Sequence, residues 1–270
     1  MKNRLLGVLL ALLFFCHCSN RADVTDMIIK DNLIFTHEEC LPDVEDKYVY
    51  PITPGTEEWK NIGSREDAIK VFQLPDNILK NISTLGLIRS FLDIPIWWND
   101  YYLSSNTSRI ITFNRIYPEY NCNQELFSRE DAGEKLIKYF NDMHCDCLEI
   151  PEAIDPVKED DQIREAEKQL NFMAQLAALQ VFFTQQKILD QLNHEDRQKV
   201  VGMLLSKHEQ IQKLTIEGVV DPAAIEVMAF IMYDSKYQPI VAYFGENKSV
   251  YENIYLSDLD IISFAKQFIR

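Results

Sequence analysis

Residues 159–192 read EDDQIREAEKQLNFMAQLAALQVFFTQQKILDQL, and this stretch decides the fold class. Ile163, Ala166, Leu170, Met173 and Ala177 recur at spacings of three and four, which lays one apolar stripe along a helix. Toward Val181-Phe182-Phe183 the stretch turns apolar on more than one side, as a central helix does. One long helix is predicted from Glu159 to Leu192.

Working outward from it, start and stop signals repeat the same message. Asn193 caps a following helix through Lys207, and Asp221-Pro222 opens another through Tyr233. A weaker helix covers 236–248, and Ser257 caps the last, whose Lys266 and Arg270 suit a helix C-terminus. Upstream, Thr56 caps a short helix at Glu57–Lys60. Ser64 precedes the first-turn acids Glu66 and Asp67, Pro75 opens a short helix, and Ser83 or Thr84 caps Leu85 to Leu92. The pentapeptide Ser64–Ala68 recurs at Ser128–Ala132 and opens a helix to about Met143; convergent capping explains the recurrence better than duplication. β-branched alternation is confined to Ile240–Tyr243. The chain reads as all-α, an irregular multi-helical array or bundle over 56–270, with two helical subdomains conceivable about a Pro- and Cys-bearing connection at 144–158.

Ahead of the helices, Lys2 and Arg4 precede the apolar run Leu5–Phe15, too short to span a bilayer and suited to a signal peptide over 1–18. The run ends at Cys16-His17-Cys18, so acylation is expected at Cys18, with Cys16 the alternative and ordinary cleavage after Cys18 a third outcome. Residues 19–55, with Pro42, Pro51, Pro54 and Gly55, read as a tether and irregular lead-in. The expected location is the bacterial cell envelope, with the membrane reached through a lipid anchor.

Composition sets the function classes aside more firmly than motifs select one. The 270 residues hold 42 acids against 27 bases, a net charge of −15, which becomes −17 once a leader carrying Lys2 and Arg4 is removed. Such a chain lacks the basic footprint of a nucleic-acid binder, and anionic lipid headgroups would repel it. Its eight glycines form neither GxGxxG nor a Walker loop. His194-Glu195 begins a zincin motif, but Gln198 stands where the second histidine belongs.

Cys40, Cys122, Cys145 and Cys147 are the cysteines outside the leader, and in an oxidising envelope they read first as disulfides. A Cys145–Cys147 bridge is cramped, so Cys122 is expected to pair with one of the two. His144-Cys145-Asp146-Cys147 with Cys122 could hold zinc, but CxC is tighter than structural zinc spacing, and no metal is assigned. Trp97, Trp98, Tyr101 and Tyr102, with Asn99 and Asp100 between them, are candidate binding aromatics, since rings with polar edges suit a sugar or peptide; core packing under an irregular loop explains the same residues and is the favoured reading.

The segment Tyr50-Pro51-Ile52-Thr53-Pro54-Gly55-Thr56-Glu57-Glu58-Trp59, then Gln73-Leu74-Pro75 through Leu79, Asn81, Ser83 and Thr84, then Arg129-Glu130-Asp131-Ala132-Gly133, resembles a family of exported, lipoprotein-like helical proteins of gut bacteria marked by YPxxPGTEEW. The resemblance covers 50–95 and 125–143. It implies export and a helical body, and no activity or ligand. The function expected is an interaction or scaffold module binding an envelope protein or peptide, with no catalytic residue or cofactor assigned. The rival is an envelope hydrolase on glycan or peptide using paired carboxylates near Trp97–Tyr102.

Overall fold

The computed structural model describes residues 38–53, 55–94, 109–116, 119–145, 159–214, 222–245 and 258–270. The helices are α1 (Arg65–Val71), α2 (Asp76–Leu79), α3 (Thr84–Leu92), α4 (Arg109–Ile116), α5 (Asn121–Leu126), α6 (Ala132–Asp142), α7 (Glu159–Phe182), α8 (Gln186–Leu189), α9 (His194–Leu214), α10 (Pro222–Asp234), α11 (Gln238–Phe244) and α12 (Asp258–Phe268). Among the described residues there is no strand, and the chain is an irregular all-α array.

The local signals act through identifiable bonds. The Ser64 hydroxyl accepts from the Asp67 N–H, and the Ser83 hydroxyl from the Gly86 N–H, so each start of helix has one otherwise orphan donor satisfied. Asn193 accepts from the Asp196 N–H at 3.0 Å, and the Asp196 carboxylate accepts from the Asn193 N–H at 3.3 Å. The second pentapeptide behaves differently from the first. Asp131, not Ser128, sits at the cap of α6, and its carboxylate accepts from the Thr84 hydroxyl at 2.7 Å. One sequence therefore starts a helix in the first copy and joins two helices in the second.

The predicted 159–192 helix ends ten residues early, at Phe182. The N–H groups of Phe183 and Thr184 turn to carbonyls three residues back, Gln180 and Val181, and the Thr184 hydroxyl also takes Val181 O at 2.8 Å. This tightening lets Phe182 and Phe183 face different neighbours. Phe182 meets Phe91, Phe113 and Phe127 at ring separations of 5.0, 5.3 and 5.2 Å, while Phe183 meets Phe140 at 5.6 Å. Fully buried aromatic side chains from both halves of the chain thus share one core. Helices α7 and α10 lie at its centre, α7 touching α3, α4, α6 and α10, and α10 touching α4, α9, α11 and α12.

From Glu38 to Thr53 the described chain is docked on the helices. Cys40, Leu41, Val44 and Tyr50 are buried. The Tyr48 N–H donates to the Ser90 hydroxyl at 2.7 Å, and the buried Arg89 guanidinium donates to Pro42 O at 3.2 Å and to Asp93 at 2.9 Å. Asp46 accepts from the Ser83 N–H and hydroxyl at 2.5 and 2.8 Å, reaching over Gly86. A Cβ at Gly86 would stand 2.6 Å from Ile82 and 2.7 Å from the Asp46 carboxylate, so only glycine admits this contact. Among the described residues no helix is long and apolar enough to cross a membrane.

Candidate functional site

The leader cysteines Cys16 and Cys18, together with Cys147 and the aromatics Trp97, Trp98, Tyr101 and Tyr102, lie outside the described residues. The remaining predicted cysteines separate. Cys40 is disulfide-bonded and fully buried. Cys122 and Cys145 are thiols, so the expected pairing of Cys122 with Cys145 or Cys147 is not made. The reason is positional. Cys122 lies in the first turn of α5, which packs flat on α3, and none of its surface reaches solvent. Burial pushes that thiol up to about 12, which leaves it protonated and unreactive. It shares its surroundings with Tyr50, whose phenol is buried without a partner among the described residues and is held well above the ordinary range, by burial first and the nearby Cys122 and Asp93 next. At the other end of the lead-in, the His144 N–H donates to Cys40 O at 3.0 Å, so the disulfide-bonded lead-in is seated against the end of α6.

A groove of about 490 Å³ runs between α6 and the start of α9. Glu134, Ile137, Lys138, Asn141 and Asp142 supply one wall, because spacings of three and four bring them to one face of α6. Gln191 and Leu192 in the turn, then Asp196 and Lys199 on α9, supply the other. Ile137 and Leu192 are nearly buried and form an apolar floor, while Glu134, Lys138 and Lys199 are exposed on the rim. Gly133 makes the closeness of the walls feasible. Its N–H donates to the Gln191 side-chain oxygen at 2.7 Å, and a Cβ there would press on Leu192 at 3.0 Å. The Gln191 amide in turn donates to Arg129 O at 2.9 Å, so the turn is tied to the start of α6 from both ends of one side chain.

The groove's charges are partly engaged. Lys138 donates to Asp142, and Asn141 donates to the other Asp142 oxygen at 3.2 Å. The Lys138 hydrogen bond holds the Asp142 carboxyl below the usual aspartate range. A general acid needs a displacement in the opposite direction, so Asp142 is a fixed negative charge rather than a proton donor. Glu134 accepts from Lys135 at 2.8 Å, which raises the affinity of that amine for its proton. Charges of both signs above an apolar floor suit recognition of a polypeptide segment, which carries both apolar and polar groups.

Sequence reading did not find this groove. Its α6 residues form no motif, and they meet those of α9 through tertiary contacts, among them Gly133 to Gln191 and the Lys207 amine to Met143 O at 2.6 Å. Among the described residues no group of three His, Cys, Asp or Glu side chains could hold a metal ion. Comparison with known proteins finds no family model, curated protein or solved structure that matches the chain.

Proposed function

We propose that this is an exported, lipid-anchored helical protein of the bacterial cell envelope whose body acts as an interaction module, taking a segment of a partner protein or peptide into the α6–α9 groove. The groove itself carries the reading: an apolar floor at Ile137 and Leu192, and a rim of Glu134, Lys138, Asp196 and Lys199 carrying both charges. Two further features support it. The disulfide at Cys40 belongs to an oxidising compartment, which agrees with the signal-like leader. The lead-in from Glu38 onward is packed on the body, on the N-terminal side from which an anchor would extend.

The test is a comparison of two baits. The soluble body and its Lys138→Glu/Lys199→Glu variant are incubated with envelope extract, and bound proteins are identified by mass spectrometry. Both substitutions lie on the exposed rim, so the fold is retained and far-ultraviolet circular dichroism verifies this. A protein captured by the first bait and lost with the second supports the reading. Identical capture by both, or none by either across a range of salt, overturns it.

A further inference from the structure

We draw no further inference here: the strongest candidate, the partly exposed apolar strip formed by Tyr243 of α11 and Phe264 of α12, carries none because nothing in the structure shows what covers it.

Discussion

Arg129 and Arg197 close two turns of the same build. Arg129 donates to the carbonyls of Leu79 and Ile82 at 3.1 and 2.7 Å, and Arg197 donates to those of Leu189 and Leu192 at 3.0 and 3.2 Å. In both, a four-residue helix ends, three residues intervene, and a side-chain cap begins the next helix. The guanidinium supplies charge-assisted donors to carbonyls at a helix end, although Leu189 O also accepts from the Leu192 N–H at 3.1 Å. The two arginines differ in origin, since Arg197 belongs to the helix its turn precedes while Arg129 reaches in from the turn before α6. Each is anchored by a carboxylate, Glu125 at 3.1 Å for Arg129 and Asp234 at 2.8 Å for Arg197.

Arg129→Met is therefore expected to lower stability by roughly 2–3 kcal/mol, because two carbonyls lose charge-assisted donors. Arg129→Lys should recover less than half, since one ammonium cannot span both acceptors in the way a planar fork does. Urea unfolding followed by circular dichroism measures both; a lysine variant as stable as wild type would show that only the charge matters.

How far these turns were legible in sequence depends on the range of the bonds. Ser64, Ser83 and Asn193 were readable as caps because each acts within three residues of itself. The early end of α7 was hidden, since 159–192 keeps its apolar spacing through the break and the cause is the separate packing of Phe182 and Phe183. The docking of the lead-in was hidden too: Tyr48 bonds Ser90 and Arg89 bonds Pro42 across more than forty residues, while the local prolines read only as loop. The groove needed tertiary contact between α6 and α9, which no spacing along the chain announces.

His208 is fully buried on α9, and neither ring nitrogen has a partner among the described residues. Removing an unsatisfied polar group while keeping bulk is neutral or favourable. His208→Leu should leave stability unchanged or raise it by about 1 kcal/mol. Thermal unfolding monitored by circular dichroism tests this, and a clear loss would mean the ring makes a bond that matters.

The Cys40 disulfide and the Cys122 thiol should respond in opposite ways to chemical probing. Cys40→Ser is expected to cost about 2–4 kcal/mol, as loss of a covalent constraint on the unfolded chain. In the folded wild-type protein, Cys122 should resist maleimide at neutral pH, because it is buried and protonated, and should label only in denaturant. Peptide mapping after labelling reads this directly. Prompt modification of native Cys122 would contradict its burial beneath α3.

The Lys138–Asp142 pair sets a small pH dependence with a definite sign. The Asp142 carboxyl is displaced downward by the Lys138 hydrogen bond, so its contribution is present above the unfolded aspartate value near ~3.9 and fades as pH falls through the folded value. Both side chains are substantially exposed, which limits the pair to about 0.3–0.5 kcal/mol. In Lys138→Gln the Asp142 titration should move upward, toward the ordinary range, when followed by carboxyl-carbon magnetic resonance. An unmoved titration would show that Lys138 does not hold this carboxylate in solution.

Whether a partner enters the α6–α9 groove is decided most directly by placing a photo-crosslinking amino acid at position 199, on the groove rim, and separately at position 60, exposed on the lead-in side of the molecule. Irradiation of intact cells carrying each version, followed by mass spectrometry of the adducts, reads which surface is occupied. The interaction reading predicts a discrete adduct of defined mass from position 199, absent from position 60 and abolished by Lys138→Glu. Adducts of the same pattern from both positions, or none from position 199, would contradict it.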